Sequence, residues 1–404
     1  MDLALRTRFN AAFSDELYRR YADDLTRRVG TQIGFRLAET PVFFPAELRE
    51  RCRLAGDEIV AQLCEPERIA KMRAAVPARW NVPGEAPLPT FAVVDFAIVR
   101  GPEGTLVPRL VELQGFPSLL AFETLQRDAW ESALSRISGL EPPWSAWFGE
   151  LERDSFLDLA RRVIVGSHDA EQVILLDLDP PAQKTYADFA ATKSLFGVDA
   201  VSPTTLVKRG KRLFRLNADG GEIAVERIYW RLVIDELERK NVTLPFDLRD
   251  ELDVEWSPHP NWFWMWSKYS LPFLDHPAVP KTWLLCELDA IPDDLSERYV
   301  LKPLFSFAGG GVNLRPTRSD IDAIPDNLRS SWCLQEKIDY GGVLKAVDGG
   351  NVKVELRMMY LRPDDAPVPI AATNLCRLGR GEMLGVDFNR DLTWVGSSIG
   401  LWRP

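Results

Sequence analysis

The chain has 404 residues, 46% of them hydrophobic and 27% charged, enough to bury large cores and to form two or three domains. Its formal charge of −10 argues against nucleic acid as the main partner, because neutralising phosphates takes a basic face. The five cysteines (Cys52, Cys64, Cys286, Cys333 and Cys376) include no Cys-x-x-Cys pair and read as reduced core residues, and with only three histidines (His168, His259 and His276) neither a zinc site nor a histidine triad is expected. Met1 to Arg6 lacks the apolar segment of a signal peptide and no run reaches the length of a membrane span, so the expectation is a cytoplasmic protein with no membrane partner.

From Arg6 to about Ala75 the pattern is helical. Phe13-Ser14-Asp15-Glu16-Leu17-Tyr18 reads as a capped start, and Pro45-Ala46-Glu47-Leu48-Arg49 opens an amphipathic helix towards Cys64. A proline-rich passage from Trp80 to Pro89 ends this region, which carries no evident chemistry. Two strands, Thr90 to Val99 and Leu106 to Gln114, then form a hairpin around Gly101 and Gly104. Asp95 is a carboxylate in an apolar strand, and Glu112 and Gln114, two apart, share a face. Oxygen ligands converging from neighbouring strands suit a hard cation such as Mg²⁺; the plain alternative is a solvent-facing polar stripe.

A helix follows to about Ile137 and another towards Arg162. Val173 to Asp179, a helix from Gln183 to Phe196 and a short strand at Gly197 to Val201 predict a βαβ unit of an open α/β sheet. Asp177 and Asp179 at the strand's carboxyl end are substrate-side candidates. A polar hairpin spans Lys208 to Leu216, and Ala224 to Arg231 is a further strand, whose Arg231 is either a substrate-anion contact or an ion-pair residue. Trp262, Trp264 and Trp266 precede Lys268 at a spacing more typical of core than of a cofactor stack.

Tyr299 to Leu314 reads as a strand ending at Lys302, a tip containing Gly309, Gly310 and Gly311, and a return strand. Glycines there let the backbone approach a ligand and form an anion-binding concavity, so a nucleotide phosphate fits; turn geometry is the plain alternative. Neither the Gly-Lys-Ser/Thr of a P-loop nor a Rossmann Gly-x-Gly-x-x-Gly is present at this tip. Ser330 to Asp339 is a strand that turns polar, Lys353 to Leu361 alternates with Lys353, Glu355 and Arg357 on one face, and Pro369 to Leu378 is its hairpin partner.

The succession Lys268, Lys302 with its glycine hairpin, Gln335-Glu336-Lys337-Ile338, then Glu355 and Arg357 resembles the ATP-grasp enzymes. Lys302-Pro303-Leu304 and Glu112-x-Gln114-x-x-Pro117-Ser118 are similar, more narrowly, to the circularly permuted branch that includes glutathionylspermidine synthase. The resemblance covers roughly residues 90 to 400 and rests on motif order. It implies an α/β fold with α+β elements in circularly permuted ATP-grasp order: after the N-terminal helical region (1–85), which the resemblance leaves unexplained, come a first ATP-grasp part with the metal-binding hairpin (86–160), a Rossmann-like pre-ATP-grasp α/β domain (161–260), and a nucleotide-binding part (261–404). It also implies ATP and Mg²⁺ as cofactors and an ADP-forming carboxylate-amine ligase working through an acyl phosphate, on small-molecule or peptide substrates.

Carried over by residue, Lys268, Lys302 and the loop with Ser306, Gly309, Gly310 and Gly311 would hold the phosphates. Gln335, Glu336 and Ile338 would meet adenine and ribose, Asp95, Glu112 and Gln114 would hold Mg²⁺, and catalytic Arg357 would stabilise the transferred phosphoryl group. Two positions depart from the family pattern: Gln114 replaces an asparagine, and Phe307 stands where the loop carries an arginine. An alternative metal pair of the unpermuted enzymes is Asp387-x-Asn389. A catalytically reduced ATP-binding regulatory or assembly module is the second functional expectation.

Overall fold

The computed structural model describes residues 1–404 except Phe307, Ala308, Val386, Asp387, Phe388 and Arg390. Capping chemistry sets its first helices. Asp2 accepts the Leu5 amide to start α1 (Leu3–Ala12), and Ser14 accepts that of Leu17 to start α2 (Asp15–Val29), which ends at Gly30 with φ 78°. The short β1 (Val42–Phe43) leads to α3 (Ala46–Leu63) and α4 (Pro66–Met72). β2 (Phe91–Arg100) and β3 (Leu106–Gln114) form the expected antiparallel hairpin, followed by α5 (Leu120–Leu134) and α6 (Arg153–Ile164).

The βαβ unit is present as β4 (Val173–Leu176), α7 (Tyr186–Phe196) and β5 (Asp199–Val201). A small antiparallel sheet comprises β6 (Val207–Arg209), β7 (Arg212–Leu216) and β8 (Glu222–Val225). β9 (Arg227–Trp230), then α8 (Ile234–Arg239) and β10 (Glu255–Ser257), complete a parallel sheet in the order β10-β9-β4-β5. After α9 (Trp262–Met265), the strands β11 (Thr282–Leu284), β12 (Tyr299–Pro303) and β13 (Trp332–Glu336) make an antiparallel sheet with β13 in the centre. Last come β14 (Leu344–Lys345), β15 (Asn351–Leu361), β16 (Ile370–Gly379), β17 (Gly396–Ser398) and β18 (Gly400–Leu401).

Two strand pairings join distant parts of the chain. β18 pairs in parallel with β1, and β15 pairs antiparallel with β2, so the principal sheet runs β17-β16-β15-β2-β3 with β14 beside β15. Alternation gives this sheet two chemistries. Val354, Leu356 and Met358 of β15 and Val94, Phe96 and Ile98 of β2 enter one large core, which also contains Phe9, Tyr21 and Leu25 of the first two helices. Tyr21 stacks on Trp130 of α5 with ring centroids 3.8 Å apart. The helices α1 to α4 therefore share the core of the principal sheet, while Ala75 and Val82 join a second core with Ile174, Leu176 and Trp230. The opposite face carries Asp95, Glu355 and Arg357.

A β-bulge decides which residues join that charged face. Strict alternation would put Leu110 on the side of Glu112, but the register shifts between Asp95 and Phe96, so Glu112 lies opposite Asp95 while Leu110 lies opposite Phe96. Leu110 thereby stays in the apolar core and both acids meet on the charged side. Among the described residues no helix is long and apolar enough to cross a membrane.

Candidate active site

Side chains link the charged face and the end of β3 to the β11-β13-β12 sheet. Lys302 of β12 is buried; its Nζ donates to Gln335 Oε1 at 2.6 Å and to the Val111 carbonyl in the bulge at 3.3 Å. Gln335 Nε2 in turn donates to Thr282 Oγ1 at 3.2 Å. Burial lowers the Lys302 pKa from its ordinary value, the expected direction for an ammonium taken out of water. Lys268 begins a 3₁₀ turn, Lys268–Phe273, and its Nζ donates to the Ser306 carbonyl at 2.8 Å while standing 3.5 Å from Glu112 Oε2. The two lysines thus bracket the end of β3.

On the sheet, Arg357 Nε and Nη2 donate to the two oxygens of Asp95 at 2.8 and 2.6 Å. Gln114 Nε2 donates to Glu112 Oε1 at 2.9 Å and to Asp95 Oδ2 at 3.3 Å. Desolvation opposes ionisation of Glu112, but Lys268, Arg357, Arg377 and Lys302 outweigh it and hold the carboxyl at about 2. The neighbouring Glu355 is raised instead, by burial, although Arg377 Nη1 stands 2.7 Å from its Oε1 and the Tyr340 hydroxyl donates to its Oε2 at 3.0 Å.

The end of β3 touches α9 because residue 115 is glycine: a Cβ there would lie 1.9 Å from the Trp262 carbonyl oxygen. Trp266 Nε1 donates to the Val93 carbonyl at 3.2 Å and fixes the same segment to β2. The result is a cleft lined by Glu112, Gln114, Phe116, Trp266, Lys268 and Phe305. Leu304 and Ser306, which with Phe305 lead from β12 towards the glycines, also line it. Leu301 and Asn313 exchange both backbone hydrogen bonds, and Gly309 and Gly311 have φ of 76° and 72°.

The predicted site residues do not all reach the cleft with free polar groups. Ser306 contributes its carbonyl to Lys268, and its hydroxyl donates to the Pro303 carbonyl at 3.4 Å. Glu336 closes β13 and accepts the Lys281 amide at 3.3 Å, with the half-buried Ile338 beyond it. Gly310 is exposed between the two positive-φ glycines. Asn389 is fully engaged: its Oδ1 accepts the amides of Arg380 and Gly381, and its Nδ2 donates to the carbonyls of Met383 and Gly385. Phe307 and Asp387 lie outside the described residues. Arg231 is an ion-pair residue, buried 2.6 Å from Asp188, which also accepts the amides of Leu119, Ala121 and Phe122 at the start of α5. Asp177 is buried and pushed up to about 7 by desolvation, while Asp179 sits at φ 44°.

The donor set suits Mg²⁺ in kind. Asp95, Glu112 and Gln114 supply carboxylate and amide oxygens from adjacent strands, provided Gln114 turns its amide and Arg357 shares Asp95. Among the described residues no group of three or more His, Cys, Asp and Glu side chains forms a metal cage. Sequence reasoning missed Arg377 and Tyr340. The position of Arg377 follows from the β15–β16 register, which the loop from Arg362 to Pro369 leaves unspecified in sequence, and Tyr340 lies in the irregular segment between β13 and β14.

No protein-family model and no curated protein matches the sequence. Among solved structures, the fold is similar to that of a glutathione synthetase-like effector from Globodera pallida in its apo form. The match has a TM-score of 0.54 at 13% identity and covers 91% of this chain and 96% of that one. The identity is too low to carry chemistry across, but the extent of the match means that the two chains share their architecture nearly end to end. The protein has the mixed α/β fold of a glutathione synthetase-like protein.

Proposed function

We propose that the protein is an ATP-dependent carboxylate-amine ligase of the circularly permuted ATP-grasp type. The observation that carries this reading is the clustering of Lys268, Lys302, Glu112, Asp95 and Arg357, from four separated stretches of sequence, around the end of β3, beside a cleft that Glu112 and Lys268 line. The strands bearing Asp95 and Glu112 precede the parallel α/β sheet, and the 3₁₀ turn bearing Lys268 and the strand bearing Lys302 follow it, which supports the permuted order.

In this reading Lys268 and Lys302 bind ATP phosphates, the glycine hairpin supplies backbone N–H groups, and Gln335, Glu336 and Ile338 meet the nucleoside. Asp95, Glu112 and Gln114 hold Mg²⁺, which when bound supplies charge neutralisation at the transferred phosphoryl group. The substrate carboxylate attacks the γ-phosphorus, ADP leaves, and an amine displaces phosphate from the acyl phosphate. Arg357 acts as a buried, permanently charged group beside the metal ligands. Transfer of this kind depends on positioning and charge, so no nucleophilic side chain is required.

The test is titration calorimetry with ATP and Mg²⁺, followed by ATP-dependent phosphate release over amino acids, small peptides and polyamines. Turnover on one carboxylate-amine pair supports the ligase. Tight ATP binding without turnover on any pair supports an ATP-binding module instead, a reading favoured by the engagement of both Asp95 oxygens by Arg357 and of Oδ2 by Gln114. Absence of ATP binding overturns both.

A further inference from the structure

The two arginines of the charged face are held very differently. Arg357 is 4% exposed and its Nε and Nη2 are both committed to Asp95. The Arg377 side chain is 32% exposed, and among the described residues it makes one hydrogen bond, from Nη1 to Glu355 Oε1. A guanidinium has five N–H donors in a planar fork. Most of that fork is therefore not hydrogen-bonded within the described residues, and its charge is one of those holding Glu112, a cleft-lining residue, ionised.

Glu355 is also arranged to release it. Its second oxygen accepts from the Tyr340 hydroxyl at 3.0 Å, so the carboxylate keeps a hydrogen bond when Arg377 turns away. Resting on the nucleotide reading above, we infer that Arg377 is a further anion-binding residue, a guanidinium that the terminal phosphate of a nucleoside triphosphate draws off Glu355. The glycine hairpin has Phe307 where the family pattern carries an arginine, and in this inference β16, whose Arg377 lies opposite Glu355 of β15, supplies the cation instead. Exchange of one anionic partner for another involves no proton or covalent change. It replaces a carboxylate contact with a bidentate phosphate contact, which is the stronger geometry for arginine.

The experiment compares MgATP with AMP by titration calorimetry on the full chain and on Arg377→Gln, Arg377→Lys and Glu355→Gln. Arg377→Gln is expected to weaken MgATP by roughly tenfold or more while AMP affinity stays within about twofold, and Arg377→Lys to recover part of the loss. Glu355→Gln, which loosens the competing carboxylate, is expected to tighten MgATP a few-fold. Equal losses for MgATP and AMP, or no change in either, overturn the inference while leaving the nucleotide site standing. Should Arg377→Gln fail to fold, an unchanged MgATP affinity in Glu355→Gln overturns it. A parent protein that binds no ATP overturns both the inference and the function on which it rests.

Discussion

Arg357 and Asp95, 262 residues apart in sequence, lie directly opposite each other on β15 and β2 and form a two-point ion pair that is almost wholly buried. Removing one partner leaves the other as an uncompensated buried charge. Arg357→Met should therefore cost about 3–5 kcal/mol in urea unfolding, whereas the double change Asp95→Leu with Arg357→Met should cost much less. A double change as damaging as the single one would show that the pair does not carry the coupling.

Lys302 is the polar link between the two sheets. Lys302→Met leaves Gln335 Oε1 and the Val111 carbonyl without their donor, a loss of roughly 1–3 kcal/mol in stability. ATP affinity measured by calorimetry should fall at least about tenfold, because one phosphate-facing cation is gone. Undiminished ATP affinity would move the nucleotide away from this cleft.

The acid range reports on Glu112. Its carboxyl is lowered from 4.5 to about 2 in the folded state, so it contributes stability at pH values above 4.5 and that contribution disappears as pH falls towards 2. Over this window the parent should lose on the order of 3 kcal/mol more than Glu112→Gln, as followed by denaturant unfolding at each pH. Parallel curves for the two proteins would contradict the cation field described around Glu112.

Gly115→Ala tests the close approach of β3 and α9. The added methyl group meets a backbone carbonyl rather than a flexible side chain, so the strand must move away from Trp262. A stability loss of about 1–3 kcal/mol is expected, with ATP affinity reduced because Glu112 and Lys268 separate. A fully stable variant with parental affinity would show that the contact is easily relaxed.

Much of this architecture was legible from local pattern. The β2–β3 hairpin, the βαβ unit and the β15–β16 pair all follow from periodicity and turn residues, and each is present. Two kinds of information were not local. The pairing of β15 with β2 is set by burial of Leu356 and Phe96 in a shared core, and no short-range signal marks it. The bulge at Val111 has no glycine to announce it, yet it brings Glu112 opposite Asp95. Residue types pointed to Asp95, Glu112, Lys268, Lys302 and Arg357; Arg377 escaped notice because its importance lies in how little of it is tied down, a property only the folded arrangement reveals.

The pairing of β15 with β2 also dictates an order of events during synthesis. When the β2–β3 hairpin leaves the ribosome, one edge of β2 has no partner until residue 351 and its successors emerge, roughly 250 residues later at a translation rate of about 5–20 residues per second. For that interval of some tens of seconds an apolar strand with free backbone groups must stay soluble. Contacts of this sequence separation also slow the final closure. The nascent chain's exposure to chaperones and to aggregation is therefore concentrated in the same strand that later holds Asp95.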